Sequence, residues 1–235
     1  MQTDLHTSKQ YDAELAQVRT QVLRMASLVE QQVVYAIESL RRTDVVVSER
    51  VIESEIEVNG LEVSIDELCT TIIARRQPNS NDLRVIIMVL KTITDLERIG
   101  DEAKKIALGT RGVYAEARGH LPRFANVALV AQIVLGMLRR AMNAFEKLDA
   151  SDVAAIARQD LEVDEYFQSI LRQLLTYMIE DPRTISAALN IIFIAKSLER
   201  IGDHAKNISE YVIYMIKGKD IRHVTLEEKE RVVES

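Results

Sequence analysis

A twelve-residue stretch occurs twice in this chain, and the repetition constrains the fold more than any other feature. Residues 95–106 read DLERIGDEAKKI and residues 197–208 read SLERIGDHAKNI, so nine of twelve positions agree at an offset of 102. A proline precedes each copy, at Pro78 and Pro182. Since a solenoid needs more than two units, the pattern favours one structural unit that is duplicated in tandem.

Apolar residues recur at helical spacing along most of the 235 residues, and only 8 glycines and 3 prolines interrupt them. This pattern predicts an all-α fold of two tandem, pseudo-symmetric, antiparallel three-helix bundles in residues 1–112 and 113–220, followed by a charged C-terminal tail at 221–235. A glycine-containing connector at 109–121 is expected to join them. The six long helices are predicted at about 8–42, 45–76, 81–108, 122–148, 152–179 and 185–217, with Thr43 and Asp44 as caps of the second and Asp149 and Ser151 as caps of the fifth.

Composition excludes several classes of function. The net charge is −6 and no cluster of lysine and arginine is present, so we expect no nucleic-acid partner. The longest nearly apolar stretch, 127–138, is too short to cross a bilayer, which needs about 20 residues. The N-terminus lacks the apolar segment of a secretory signal, and the single cysteine, Cys69, reads as a core thiol. A cytoplasmic location is expected.

Acidic residues continue the apolar stripes of three predicted helices. Glu97 and Asp101 extend a stripe of the third helix, and Glu199 and Asp203 occupy the equivalent positions of the sixth. On the fifth helix, Asp160 and Asp164 share a face with apolar residues. Because an unpaired buried charge is costly, these acids need partners.

Counting from the turns brings the acids together. Glu55 lies 23 residues before Pro78 and Asp101 lies 23 residues after it, so an antiparallel hairpin places them side by side. The same count in the second half pairs Asp160 with Asp203. Each bundle is therefore predicted to hold a cluster of oxygen ligands, Glu55, Asn59, Glu97 and Asp101 in the first and Asp160, Asp164, Glu199 and Asp203 in the second.

Carboxylates at this density repel each other, and three arrangements would offset the repulsion. Hard cations such as Mg, Mn, Ca or iron suit all-oxygen sites. Raised pKa values would serve as well. Basic partners are the third arrangement, since Arg98, Arg200, Lys104 and Lys206 recur in both copies. Gly100 and Gly202 also recur, and either plain helix packing or the close approach of a metal would account for them.

No catalytic constellation is visible in the sequence. The Glu-x-x-His motif of di-iron bundles is absent, as are phosphate-binding loops and nucleophile–histidine pairs. His204 takes the position that Glu102 holds in the other copy, and we expect it on the surface. His6, His120 and His223 fall near termini or connectors. We therefore predict that the protein is not an enzyme.

Several motifs together resemble the PhoU family of phosphate-specific transport system accessory proteins. The resemblance covers nearly the whole chain. The motifs are LERIGD at 96–101 and 198–203, RRQP at 75–78, MIEDPRTI at 178–185 and KGKDIRHV at 217–224.

This resemblance implies duplicated three-helix bundles that form homodimers in the cytoplasm. It implies a negative regulator of the phosphate-starvation response, which modulates phosphate uptake as an adaptor between the ATPase subunit of a phosphate ABC transporter and a sensor histidine kinase. Such a protein would be peripheral to the membrane through its partners only.

Some family members carry multinuclear iron or zinc clusters on acidic motifs. Those motifs match Glu97 with Asp101, and Glu199 with Asp203. Asp160 and Asp164 lie opposite the second motif, and Glu55 and Asn59 lie opposite the first. Asn59 departs from the acidic pattern, so the first site is expected to bind iron, zinc, Mn or Mg more weakly. A metal-storing carboxylate bundle, a metal-dependent enzyme and a metal-free structural bundle are the alternatives to the adaptor.

Overall fold

A computed structural model describes residues 3–42, 45–116, 125–222 and 224–234, and no strand occurs in these ranges. Helices account for nearly all of them, as the scarcity of glycine and proline predicts. The helices are α1 (Thr3–Arg42), α2 (Val45–Arg76), α3 (Ser80–Glu116), α4 (Ala125–Lys147), α5 (Val153–Glu180), α6 (Ile185–Lys217) and α7 (Leu226–Glu234), with a 3₁₀ turn at Pro182–Thr184.

The six long helices form the two bundles that the duplication predicts. In the first bundle α1, α2 and α3 pack against one another, and in the second α4, α5 and α6 do so. Each bundle buries one stripe of each helix, such as Met25 of α1 and Ile65 of α2 in the first, and Leu138 of α4 and Ile156 of α5 in the second. The all-α fold of tandem bundles is confirmed.

The third helix does not end before the predicted connector. It continues to Glu116, so Gly109 and Gly112 lie inside α3, where they face α6. A Cβ atom on Gly109 would lie 3.0 Å from the side chain of Ile194, and one on Gly112 would lie 2.8 Å from Asn190. These glycines therefore permit close packing of two helices, and the prediction that they begin a connector is wrong. Residues 117–121 of that connector lie outside the described ranges.

Helices α3 and α6 pack against each other more extensively than any other pair of described helices. Each belongs to a different bundle, so their contact joins the two halves. One group of buried apolar residues runs from Val18 in α1 to Met215 in α6 without a break between the bundles. The duplicated units thus share one core.

Helix α4 extends beyond the apolar stretch seen in the sequence. Residues Asn126–Lys147 are long and apolar enough to cross a membrane by length and composition alone. Half of the most apolar part is buried within the protein, against α1, α5 and α6. The core helix of a bundle has these same properties.

The charged C-terminal tail forms a helix that packs onto the second bundle. Val232 and Val233 of α7 pack with Val153 and Ile213 of the bundle. Lys229 of α7 forms a buried ion pair with Glu210 of α6. Of the predicted helix caps, Asp149 accepts a hydrogen bond from the backbone of Ser151, two residues before α5 begins. The predicted caps Thr43 and Asp44, and the predicted start of the fourth helix at Pro122, lie outside the described residues.

Candidate functional site

The predicted acidic cluster of the second bundle is organised around Lys206. Asp160 on α5 is buried, and its carboxylate contacts the Lys206 ammonium on α6. Asp203, one turn earlier on α6, lies 3.3 Å from the same ammonium. Glu199 pairs instead with Lys196 at 2.6 Å. Two lysines therefore supply much of the positive charge that this cluster requires.

The pKa values show that the four predicted acids of this cluster act on one another. Burial raises the pKa of Asp164, and the nearby charges of Asp160, Glu199 and Asp203 raise it further. Burial also raises the pKa of Asp160, and outweighs the opposing attraction of Lys206. Burial lowers the pKa of Lys206, but its hydrogen bond to Asp160 and the charges of Asp160 and Asp203 reverse that effect. The structure thus brings together the four side chains that the turn counting predicts.

The first bundle repeats this arrangement with one difference. Lys104 on α3 lies 2.5 Å from Glu55 on α2. Burial raises the pKa of Glu97, and the charges of Asp101 and Glu55 add to the effect. These three acids are therefore neighbours, as predicted. Asn59 has an exposed side chain.

Glu62 belongs to the first cluster and was missed by the sequence analysis. Burial raises its pKa, and the charges of Glu97 and Asp101 contribute. Glu62 lies three residues after Asn59 and seven after Glu55, so helical spacing alone places it on the same face. The comparison of the two repeats hides it, because its alignment partner in the second half, at an offset of 105, is Phe167.

The two lysines occupy equivalent positions, because Lys104 and Lys206 differ by the repeat offset of 102. Their acidic partners, Glu55 and Asp160, are also aligned in the duplicated sequence. The predicted salt-bridge arrangement is therefore confirmed for both lysines. The repeated arginines diverge, since Arg98 lies 3.5 Å from Glu97 within its own helix whereas Arg200 reaches across to Glu102 on α3 at 3.2 Å.

Among the described residues, no group of three or more histidine, cysteine or carboxylate side chains is arranged to hold a metal ion. The Lys206 ammonium contacts both Asp160 and Asp203, so it meets the charge requirement that a cation would otherwise meet. One carboxylate oxygen, Oε2 of Glu199, is buried without a hydrogen bond. In this arrangement the donors fit ammonium groups rather than a metal cluster. Metal binding by the eight predicted residues stays a prediction.

The repeated glycines lie against side chains of neighbouring helices. A Cβ atom on Gly100 would lie 2.8 Å from Oε1 of Gln32 on α1. A Cβ atom on Gly202 would be in ordinary contact with Val134 and Met137 of α4. Helix packing, one of the two explanations considered for these glycines, accounts for both.

His204 is half-buried at the contact between the bundles, and the prediction of a surface position is wrong. Its Nδ1 atom lies 2.6 Å from Oδ1 of Asp95 on α3, and Asp95 is buried. Asp95 also affects Tyr211, whose pKa is raised by burial and then by the Asp95 charge. The sequence comparison places His204 opposite Glu102 but does not reveal that both positions face the other bundle.

Glu102 makes the pseudo-symmetric counterpart of that contact. It is buried on α3, beside Ser197, which is equivalent to Asp95, and it pairs with Arg200 of α6. Burial alone would raise the pKa of Glu102, but Lys105, Ser197 and Arg200 together hold it below its usual value. The α3–α6 contact therefore contains two related polar pairs of different chemistry.

The remaining candidate groups show no reactive arrangement in the described residues. Cys69 is fully buried, and burial raises the pKa of its thiol to about 12, which keeps it protonated and unreactive. This confirms the predicted core thiol. The side chain of His6, and residues His120 and His223, lie outside the described positions.

Comparison with known proteins identifies the duplicated unit. The family model described as the PhoU domain matches residues 22–109 and again residues 127–212. The chain is 42% identical over 228 residues to the "Phosphate-specific transport system accessory protein PhoU" of Escherichia coli K12, covering 97% of this chain and 94% of that protein. It is 45% identical over 231 residues to the PhoU homolog of Pseudomonas aeruginosa, covering 98% of this chain and 95% of that protein.

Solved structures show the same fold. The crystal structure of PhoU from Pseudomonas aeruginosa superposes with a TM-score of 0.86 at 45% identity and covers 89% of this chain and all of that one. The phosphate transport system regulatory protein PhoU from Streptococcus pneumoniae superposes with a TM-score of 0.81 at 25% identity, covering 90% of this chain and 99% of that one.

Proposed function

Because this chain belongs to the PhoU family, we propose that it is an accessory protein of a phosphate-specific transport system. The observation that carries this proposal is the double match of the PhoU domain, together with relatives of that name that align over nearly the whole chain. The duplication, the turns and both carboxylate clusters belong to the matched unit.

Within that role, the protein acts as a cytoplasmic adaptor. It binds the ATPase subunit of the phosphate transporter and a sensor histidine kinase, and it holds the kinase inactive when phosphate is ample. It forms a homodimer and reaches the membrane only through its partners. As an adaptor it carries out no reaction, and it acts by binding one state of each partner more tightly than another.

The use of charged groups in the fold supports a role without catalysis. The buried and half-buried acids of the described clusters are engaged by lysines, as Asp160 is by Lys206 and Glu55 is by Lys104. The histidine at the bundle contact is engaged by Asp95. These groups link helices to each other and leave no nucleophile–base pair among the described residues.

An exposed apolar row on α6 supports a protein-binding role. Ile185, Leu189 and Phe193 follow one another at a spacing of four, and Phe193 is 64% exposed. Such a row lies along one face of a helix. Contiguous exposed apolar side chains mark surfaces that other proteins cover. We assign partner contact to this row.

The proposal is tested in cells that lack their own PhoU protein and carry a reporter of the phosphate-starvation response. The chain is expected to restore repression of the reporter in phosphate-rich medium. A Phe193→Ser variant is expected to lose much of this repression at unchanged protein level. A Leu108→Ser variant serves as the matched control, since Leu108 is an exposed apolar residue on α3.

Reporter activity that stays high with the wild-type chain, at normal protein level, would contradict the regulatory role. Equal repression by wild type and Phe193→Ser would leave the regulatory role in place and remove the assignment of the apolar row.

A further inference from the structure

A cavity of about 400 Å³ opens between α3 and α6 at the end of their contact where α3 begins. Arg84 and Lys91 of α3 line one side, and Tyr211 and Tyr214 of α6 line the other. Apolar side chains, including Leu83 and Met88, complete the walls. A volume of this size is within the range of small-molecule sites.

The cavity exists because the duplication is broken at this point. The residues equivalent to Tyr211 and Tyr214 in the first repeat are Gly109 and Gly112, at the offset of 102. Those glycines let α3 and α6 approach closely at the other end of the contact. The tyrosines instead hold the helices apart. Pseudo-symmetry therefore gives one tight end and one open end.

The basic residues of the cavity are also specific to this end. The repeat places Ser186 opposite Arg84 and Phe193 opposite Lys91, so neither cation follows from the duplicated fold. Lys91 and Arg84 form no ion pair with a described residue. Their contacts are with aromatic rings, Lys91 with Tyr211 at 5.7 Å and Arg84 with Tyr214 at 5.6 Å.

The acidic residues of the cavity already have basic partners. Glu210 forms the buried pair with Lys229, and Asp220 binds Arg222. The positive charges of Arg84 and Lys91 are therefore left over, and the cavity attracts anions. The Arg84 guanidinium rests on Gly218, where a Cβ atom would lie 2.6 Å from it, and this contact fixes its position.

We propose that this cavity binds a small phosphorylated organic molecule of the nucleotide class. Arg84 and Lys91 bind the phosphate groups, since guanidinium and ammonium groups are the preferred partners of phosphate. The two residues are seven apart on one helix, about 10 Å along its axis, so they suit a ligand with more than one anionic oxygen group. The aromatic and apolar wall receives the uncharged part of the ligand.

Both bundles contribute to the site, so an occupant bridges α3 and α6. This inference is independent of the adaptor role, because it rests on the cavity and its charges alone. A protein that binds no transporter component could still hold such a ligand.

Isothermal titration calorimetry at fixed ionic strength tests the site with five probes: ATP, AMP, pyrophosphate, inorganic phosphate and adenosine. We expect saturable binding of ATP and no binding of adenosine. Lys91→Gln and Arg84→Gln are each expected to weaken ATP binding by about tenfold, the effect of losing a charge-assisted hydrogen bond. Arg111→Gln removes the same charge from an exposed position near the other end of α3 and is expected to have no effect.

The probes distinguish the sources of the anion. Binding of pyrophosphate as tightly as ATP would support the anion site and assign it to inorganic phosphates, which overturns the organic part of the proposal. Absence of binding by ATP, AMP, pyrophosphate and inorganic phosphate would overturn the whole proposal, as would unchanged binding in both folded variants. Circular dichroism and the urea midpoint show whether each variant is folded.

Discussion

The Nδ1 atom of His204 on α6 lies 2.6 Å from Oδ1 of Asp95 on α3, and this contact links the two bundles through a half-buried imidazole and a buried carboxylate. Its pseudo-symmetric counterpart uses Glu102 and Arg200. The bundles are therefore held together by polar groups as well as by their shared core. Loss of either partner leaves the other without its hydrogen bond in a poorly solvated position.

The first prediction concerns this pair. Asp95→Asn and His204→Gln are each expected to destabilise the protein by about 1–3 kcal/mol, and the double variant by less than the sum, with a coupling of roughly 1–2 kcal/mol. Urea unfolding of the four proteins in the cycle measures the coupling. Arg24 and Glu57 form an exposed pair and provide the control cycle, in which a coupling of a few tenths of a kcal/mol is expected. Strict additivity at Asp95 and His204 would show that they do not interact.

The second prediction concerns Lys206. Lys206→Gln leaves the buried Asp160 carboxylate without its ammonium partner, so a destabilisation of about 3 kcal/mol is expected. Mg²⁺ or Mn²⁺ is expected to restore part of this loss, because carboxylate oxygens bind hard cations. Thermal unfolding with chelator and with each cation measures both effects, with Lys104→Gln as the matched variant of the first bundle. A Lys206→Gln protein as stable as wild type would contradict the role of this lysine.

The third prediction is a pH dependence at Asp164. Its pKa is raised in the fold, so the folded chain binds this proton more tightly than the unfolded chain does. Ionisation therefore costs stability as the pH rises from the usual value of 3.8 through the raised pKa. Asp164→Asn removes that cost and is expected to stabilise the protein at neutral pH by roughly a few tenths of a kcal/mol, since the side chain is exposed.

The gain from Asp164→Asn is expected to shrink towards zero at about pH 4, where the wild-type carboxyl group regains its proton. Urea unfolding at both pH values measures it. Glu165→Gln, an exposed neighbour on α5, should change stability little at either pH. A larger gain at low pH than at neutral pH would reverse the sign and contradict the prediction. The first bundle already has Asn59 at the equivalent position.

The fourth prediction concerns the close contact of α3 with α6. Gly109→Leu places a side chain where even a Cβ atom would lie 3.0 Å from Ile194, so a loss of about 1–3 kcal/mol is expected. Gly60→Leu is the control, because a Cβ atom at Gly60 would have open space. There the higher helix propensity of leucine is expected to stabilise the protein by up to about 0.8 kcal/mol. Equal effects at both sites would contradict the packing role of Gly109.

The sequence predicts the bundles and the composition of the clusters for clear reasons. Helical periodicity and the positions of Pro78 and Pro182 fix which helices are antiparallel, and counting from these turns brings Asp160 near Asp203. Repeat comparison also singles out Lys206 as a basic partner. All of this depends on contacts within one hairpin.

Contacts between the bundles could not be predicted in the same way. Gly109 and Gly112 have the composition of a connector, yet they lie in α3, since their role is to admit α6. His204 sits on a polar stretch of its helix, and only the crossing of α3 and α6 brings Asp95 to it. No spacing within one helix specifies how two bundles pack, so such positions need the tertiary structure.

The adaptor role is tested most directly by binding of purified components. The chain is immobilised, and biolayer interferometry measures its binding to the transporter ATPase subunit and to the cytoplasmic part of the sensor kinase, with and without phosphate. Saturable binding of both partners, weakened by Phe193→Ser and unchanged by Leu108→Ser, is the predicted result. Folded wild-type protein that binds neither partner under any phosphate condition would contradict the adaptor function.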